Sequence, residues 1–574
     1  MYTLEKIKND IVKKINKALG DDLVQASDLV YPPAYTKASS GKAKSGMGDL
    51  SLPCFKIAKK LKKKPNELAM ELEKKIGEAK AIGPYLNLTL NKKRLAKGVL
   101  GEAEKLKDGY GENKNLKGKK IMVEFAHPNP FKSFHIGHLR NILLGESIVR
   151  LLEASGAKVI RTNYQGDVGM HIAKCLWAFA KVKKSSYPKI TDEKVALLGK
   201  CYKKGAAAFE DSKKIEKEIT GINKKIYTGV DKNINKLWEL GKKWSLEKFQ
   251  EIYTRVYTTF DKEYMESEVM EDGMKQVEIA FKKGILKKSK GAIVFDGGQY
   301  GLDTRVFLNS KGLPTYEGKE LGLAFREFED FGKIDLCIHN VAVEQISFFK
   351  VTFKVEELLN KIKFAGKQYH NAYEFVGLKK GKMSSRKGEV ILGNDILNEA
   401  NNRILRKIKN RKEVKNKKEV AEVVGVGAIK YGFLKISPFK YLAFDMEESV
   451  NFSGDSGPYL QYTYARIRSI IRKSGAKATK WLPSHLVGDK ENEIIMKLAK
   501  YPEVVEKAGT IYDPSEIAKY LFELAQLFND YYHSVPVLKA EKDVRQARLE
   551  LIRSVSQVLK NGLELLGIKV VESM

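Results

Sequence analysis

The sequence predicts an α/β chain in which a parallel-sheet core with a helical insertion is preceded by an α+β module and followed by a nearly all-helical region. Three observations predict it. The run Ile121 to Phe125 is apolar and β-branched, breaks at Pro128 and Pro130, and gives way from Gly137 to Leu139, Ile142, Leu143 and Ile148 at helical spacing. That helix meets a glycine stop at Gly156, and a second strand pattern follows at Lys158 to Tyr164, which makes a strand-helix-strand unit of the parallel kind. From about Gly454 to the end the pattern is helical throughout. A length of 574 residues fits about three or four domains of ordinary size.

Charge narrows the class of partner. There are 104 Lys and Arg against 71 Asp and Glu, a net charge of +33. Such an excess suits a polyanion, because each neutralised phosphate releases counterions. Nucleic acid fits better than a membrane surface, since no basic amphipathic helix with an aromatic face stands out; the bland alternative is a lysine-rich surface serving solubility. No apolar run approaches the roughly 20 residues of a membrane span, and the N-terminus lacks an apolar signal core. The four cysteines, Cys54, Cys175, Cys201 and Cys337, are scattered singly, which suits a reducing compartment. A cytoplasmic protein without membrane contact is expected.

In chain order, residues 1–112 read as the α+β module. Leu4 to Leu19 is helical, Tyr31 to Gly48 is a loop, Asp49 to Phe55 leads into a lysine-dense helix, and Gly83-Pro84 turns into the strand Tyr85 to Leu90. Lys107 to Lys120 looks like a linker. The sheet domain is expected over 113–395, interrupted at about 182–285 by a Lys- and Glu-rich helical insertion. Strands resume at Ala292 to Asp296, Gly312 to Glu320 is a turn before a helix, and Ile334 to Asn340 is a buried strand with Glu344 and Gln345 at its end. A connecting segment is expected over 396–453, and a helical domain over 454–574 in which Tyr459, Tyr462, Tyr464, Tyr531 and Tyr532 stand among arginines. Those tyrosines serve either as stacking platforms for single-stranded bases or as core.

The chemistry concentrates at His135-Ile136-Gly137-His138. A strand running into a helix N-terminus offers unpaired backbone N–H groups and a favourable dipole to phosphate, and Gly137 permits close approach. His135 and His138 add donors, and Lys132 adds a charge. A purely structural turn, or half of a zinc site completed by His127, is the alternative; the absence of any Cys-x-x-Cys pair speaks against zinc. Ligands of open parallel sheets bind at strand carboxyl ends, here Gln165 to Gly169. Gly381 to Gly388 is a glycine-bounded loop with the cations Lys382, Arg386 and Lys387 and the hydroxyls of Ser384 and Ser385. It either closes on a triphosphate or is simply a solvated loop. Two phosphate-type sites on one sheet domain tell more than either alone.

The pair His135-Ile136-Gly137-His138 and, about 245 residues on, Lys382-Met383-Ser384-Ser385-Arg386 resembles the HIGH and KMSKS motifs of class I aminoacyl-tRNA synthetases. Glu124-Phe125-Ala126-His127-Pro128-Asn129, Asn163-Tyr164-Gln165-Gly166-Asp167, Leu313-Pro314-Thr315-Tyr316 and Gly457-Pro458-Tyr459-Leu460-Gln461-Tyr462 narrow the resemblance to the arginyl-tRNA synthetases, over nearly the whole chain and least in the insertion. The resemblance implies a Rossmann-like catalytic core, an N-terminal domain touching the corner of tRNA, and an all-α C-terminal anticodon-binding bundle.

It also implies a two-step reaction: arginine and ATP give arginyl-adenylate and pyrophosphate, and the terminal ribose hydroxyl of tRNA(Arg) then takes the arginine. Members generally need bound tRNA for the first step. ATP would enter with Mg2+, without a dedicated metal site in the protein. Its adenine would stack near Gly137 and His138, with His135 on the phosphates and Lys382, Met383, Ser384, Ser385, Arg386 and Lys387 closing over them. A guanidinium is a planar fork of donors and needs a carboxylate in bidentate reach. By similarity the L-arginine pocket would hold Glu124, His127, Asn129, Tyr316, Glu320 and Gln345. Tyr459, Gln461 and Tyr462 would meet the tRNA, and a monomer is expected.

Three positions depart from the family pattern. Glu320 stands where aspartate is common, His127 replaces a small residue, and Ser385 replaces the second lysine of the loop. Lys132 has the spacing to compensate for the last. A non-catalytic tRNA-binding relative should have lost parts of these motifs, and another adenylyl-transferring enzyme would not need the C-terminal helices.

Overall fold

The computed structural model describes residues 1–32, 48–379, 391–475 and 481–574. They form two compact units.

The first unit comprises residues 1–111, 466–503 and 523–561. Its N-terminal part is α+β, as expected. The helix Thr3–Leu19 buries Leu4, Ile7 and Ile15 and ends at Gly20, whose φ of 75° is the left-handed stop that glycine adopts without strain. Three antiparallel strands follow in the order Leu50–Pro53, Tyr85–Leu88, Ala79–Ile82. Glu503, from the later helical part of the same unit, ties the two parts together: its carboxylate accepts from Lys8 Nζ at 2.7 Å and from Tyr31 Oη at 2.6 Å.

The second unit comprises residues 112–465, 504–522 and 562–574. Its centre is a five-stranded, wholly parallel sheet of β1 (Lys120–Glu124), β2 (Lys158–Gln165), β3 (Lys262–Met265), β4 (Leu336–His339) and β5 (Gln368–His370), in the order β5-β4-β1-β2-β3. Helix α1 (Ile136–Ala154) crosses from β1 to β2, α2 (Met170–Phe179) leads into the insertion, α3 (Glu266–Lys282) follows β3, α4 (Tyr316–Asp330) precedes β4, and α5 (Ile346–Leu359) follows it. The carboxyl ends of β1, β2 and β4 therefore lie side by side.

Burial explains these elements. Ile121, Met122 and Val123 of β1 are sealed, as a strand covered on both faces requires. Helix α1 is buried almost all round, from Leu139 through Leu152, and Gly145 lets it settle on Phe125, whose side chain lies 2.4 Å from where a Cβ would be. The insertion helices Thr191–Asp211, Lys213–Thr228 and Lys232–Arg255 close a core of their own with α2, around Trp177, Phe179, Leu198, Cys201, Ile219 and Trp244.

Two segments differ from expectation. Residues 182–285 are not all helical: Lys262–Met265 is the edge strand β3. Its pattern is short and charged, so it does not register as a strand until β2 is there to pair with it. The start of the sheet domain is also less free than a linker, because Asn113 N donates to Ala154 O at 2.8 Å and Leu116 N to Ser155 O at 2.9 Å.

Candidate active site

The turn after β1 is strained and held. Ala126 (φ 81°) and His127 (φ 50°) are consecutive non-glycine residues in the left-handed region, and Phe131 (φ 65°) is a third. Each costs about 1–3 kcal/mol and persists only where the surroundings determine it. Asparagines supply that hold: Ala126 N donates to Asn141 Oδ1 at 2.7 Å and His127 N to Asn163 Oδ1 at 3.1 Å. Asn129 Oδ1 accepts from Gly166 N at 2.8 Å. Gly166 is required there, since a Cβ would stand 2.9 Å from Asn129 Oδ1 and 3.2 Å from Glu266 Oε1.

His135 caps α1. Its Nδ1 accepts from Gly137 N at 3.1 Å and His138 N at 3.4 Å, while His138 Nδ1 accepts from His135 N at 3.2 Å, a reciprocal capping box. The two rings stack with centroids 3.7 Å apart. Ile136 N donates to Ile391 O at 2.9 Å. The expectation of unpaired backbone N–H groups is thus corrected: the first three amides of α1 are occupied. What the motif does offer follows from the tautomer. With both Nδ1 atoms accepting, each proton resides on Nε2. Burial, then Lys132, depresses the His135 imidazole; burial, then His135, depresses that of His138 well below the usual range. Both rings are therefore neutral Nε2–H donors near neutral pH.

Cations and their counter-charges sit close by. Burial lowers the Lys132 ammonium although the residue as a whole is exposed, with Glu266 acting against it. Lys319 is buried in an ion pair with Glu266 and lies 4.6 Å over the Tyr316 ring. His171 is pushed down to about 3 by burial and then by Lys132.

Beneath them lies a buried acidic cluster. Glu124, at the end of β1, is 2% exposed and Glu320, on α4, is 4% exposed. Glu124 Oε1 lies 3.2 Å from His339 Nδ1, and Glu320 Oε1 lies 4.0 Å from the same nitrogen. Burial raises the Glu320 carboxyl well above its usual value, and Glu124 adds to the shift. Burial opposes ionisation of Glu124 too, but the His339 hydrogen bond holds that carboxyl below its usual value. Glu327 is raised like Glu320, and Glu356 is raised by burial to about 7. Among the described residues, Glu124 Oε2 and Glu320 Oε1 are buried without a hydrogen-bond partner, as are Tyr164 Oη, His127 Nε2 and His171 Nε2. Buried polar atoms are ordinarily satisfied, so this concentration at the carboxyl ends of the strands is what a polar ligand would complete.

The structure brings Glu124, His127, Asn129 and Glu320 together beside Lys132, His135, Gly137 and His138. Tyr316, 67% exposed, stands at the rim. Gln345 ends a 3-10 turn beyond β4 and starts α5, and its amide makes no hydrogen bond to the cluster among the described residues. Lys382, Met383, Ser384, Ser385, Arg386 and Lys387 lie outside the described residues. Gln461, expected on tRNA, is instead buried, with Nε2 donating to Lys569 O at 2.7 Å; its amide serves to hold the chain end. Tyr459 packs near Phe522, and the Arg411 guanidinium lies 5.5 Å over the Tyr462 ring. Sequence reasoning missed His339, Glu327 and Glu356. The only signal was a histidine ending a buried strand and acids on the inner faces of helices.

Comparison with known proteins gives the same arrangement a family. The catalytic domain of "tRNA synthetases class I (R)" matches residues 103–446, the "DALR anticodon binding domain" matches 460–574, and the "Arginyl tRNA synthetase N terminal domain" matches 5–90. The arginine–tRNA ligase of Treponema denticola is 35% identical, with 100% of each chain covered, and that of Bdellovibrio bacteriovorus is 34% identical over 96% of this chain and 95% of its own. Among solved structures, Thermus thermophilus arginyl-tRNA synthetase superposes with a TM-score of 0.79 at 25% identity, covering 99% of this chain and 100% of its own. The Plasmodium falciparum arginyl-tRNA synthetase, at 20% identity and a TM-score of 0.77 over 100% of both chains, shares the fold. The chain belongs to the arginyl-tRNA synthetases, the arginine–tRNA ligases of class I.

Proposed function

We propose that the chain joins L-arginine to tRNA(Arg) through an arginyl-adenylate, and that the residues described above carry the reaction. In the first step an arginine carboxylate oxygen attacks the α-phosphorus of ATP and pyrophosphate leaves. In the second the terminal ribose hydroxyl of tRNA attacks the activated carbonyl and AMP leaves. Neither step needs a side-chain nucleophile; both need positioning and charge stabilisation. The neutral Nε2–H groups of His135 and His138 face phosphate oxygens, Gly137 admits the nucleotide, and Lys132 supplies the charge. Lys382, Met383, Ser384, Ser385, Arg386 and Lys387 close from the other side; Ile391, which follows that loop, is bonded to Ile136 of the histidine motif. Magnesium enters with ATP as part of the substrate.

The observation that carries arginine as the amino acid is the pair of partnerless buried carboxylate oxygens, Glu124 Oε2 and Glu320 Oε1. A guanidinium supplies a planar fork of charged donors with no acceptor to misplace. His127, whose Nε2 lies 3.9 Å from Glu124 Oε1, borders the guanidinium end; Asn129 stands toward the amino-acid backbone, with Tyr316 and Gln345 at the mouth. We assign residues 1–112 to the corner of tRNA, 113–395 to catalysis, 396–453 to connection and 454–574 to the anticodon, with Tyr459 and Tyr462 on the tRNA side, in a cytoplasmic monomer.

The test is attachment of radiolabelled arginine to unfractionated tRNA with Mg-ATP, beside the other amino acids. Arginine alone should be attached, and His138→Ala should lose about a hundredfold or more in kcat, the scale of removing one preorganised donor. Bound tRNA that is never charged would instead favour a non-catalytic RNA-binding role. Light scattering at one protomer mass checks the monomer.

A further inference from the structure

His339 is absent from the residues the family resemblance assigns to arginine, yet it sits at the centre of the acidic cluster. It ends β4, has no exposure to solvent, and is flanked by the rings of Phe349 and Phe353 at 5.0 and 5.1 Å. Both its nitrogens face acceptors. Nδ1 is 3.2 Å from Glu124 Oε1, and Nε2 is 3.0 Å from Gln368 Oε1. The Gln368 amide donates its Nε2–H to Glu356 Oε2 at 2.7 Å, which turns its oxygen to His339. An imidazole with an acceptor at each nitrogen carries a proton on each.

We propose that His339 is a buried imidazolium that positions Glu124 for arginine, holding Oε1 through Nδ1–H so that Oε2 faces the guanidinium. This rests on reading the site as an arginine pocket, and it adds a residue that determines how the pocket is charged. The groups facing His339 are Glu124 from β1, Glu320 and Glu327 from α4, Cys337 on its own strand, Glu356 from α5, His370 on β5, and His127 beyond β1. Burial pushes the Cys337 thiol up to about 12 and the His370 imidazole down to about 4, so both are neutral near pH 7. Burial likewise lowers the His127 imidazole. His339 is then the fixed cation among four crowded carboxyls, and Glu124, hydrogen-bonded to it, is the one it holds below the usual value. Its charge favours the ionised form of each of the four. When arginine enters, its guanidinium adds a second cation that favours the ionised form of Glu320, whose proton is released to solvent as the ligand binds.

The test compares the intact chain with His339→Gln in tRNA charging, varying arginine, ATP and pH. The variant should raise the arginine KM about tenfold or more, the cost of one charge-assisted hydrogen bond, while the ATP KM stays level. Its acidic limb in arginine kcat/KM should move to higher pH, because Glu124 and Glu320 lose the cation that favours their ionised forms. A merely structural role would lower Tm without moving that limb. An unchanged arginine KM and limb in folded His339→Gln overturns the proposal. Should that variant fail to fold, Gln368→Met carries the test: it removes the Nε2 acceptor and should shift the limb the same way, and no shift overturns the proposal equally. A parent enzyme that charges no arginine would instead sink the functional reading itself, a different result from a parent that charges arginine with or without His339.

Discussion

Glu124 and Glu320 are carboxylates of equal chemistry in unequal surroundings, and that difference predicts different consequences for the same isosteric change. Glu124 is ionised and hydrogen-bonded to His339 in the empty pocket. Glu320 is protonated there, because burial raises its carboxyl well above the usual value. Glu124→Gln therefore strands a buried imidazolium and should cost about 2–5 kcal/mol, visible as a lower Tm and an arginine KM raised a hundredfold or so. Glu320→Gln replaces a neutral acid by a neutral amide of the same shape, so Tm should hold. Arginine KM should rise all the same, since the amide cannot ionise to meet the guanidinium. Thermal melts and arginine titrations on the two variants check both halves; equal loss of Tm in both would contradict the protonation states argued for the empty pocket.

Glu320 is placed by the approach of two helices, and at that scale glycine decides. Helices α3 and α4 pack so closely that a Cβ on Gly322 would stand 2.2 Å from Val269 O, and one on Gly273 would stand 2.3 Å from Gly318 O. Backbone cannot step aside as a flexible side chain can. Gly322→Ala should cost about 1–3 kcal/mol by overpacking and, by pushing α4 and its Glu320 away from α3, raise the arginine KM while leaving the ATP KM level. A melt together with separate arginine and ATP titrations reads this out, and equal rises in both KM values would mean the damage is general. The elements whose own residues dictate them were legible from sequence. The β1 run, the Gly156 stop and the turn before α4 announce themselves through local pattern. Strand β3 did not, because Lys262–Met265 is a strand only by pairing with β2. Nor did the occupied amides of α1, whose partners include His135 itself and Ile391, more than 250 residues away. The site divides along the same line. The histidine motif marked His135 and His138 and the family resemblance marked Glu124, whereas His339, Glu327 and Glu356 converge only once β4, α4 and α5 have assembled.

For the molecule as a whole, the net charge of +33 and the buried acidic pocket make opposite demands on salt, and that contrast is measurable. tRNA presents phosphates to solvent-exposed lysines, whose attraction is screened beyond a Debye length of about 8–10 Å at moderate ionic strength. Each phosphate contact contributes a slope of about −0.9 in log affinity against log salt on duplex regions. With several contacts, tRNA binding should weaken by about a thousandfold or more between about 50 and 200 mM monovalent salt. In the proposed pocket arginine would meet Glu124 and Glu320, both nearly sealed from solvent, where mobile ions do not reach and screening is weak. Its KM should stay within about twofold over the same range, provided tRNA is kept saturating. Filter binding of tRNA and arginine titration at each salt concentration separate the two. A tRNA affinity that does not change with salt would mean that the lysine excess serves solubility rather than the polyanion. An arginine KM that climbs in step with salt would mean that the amino acid is held at the surface and not in the pocket beneath the histidine-capped helix.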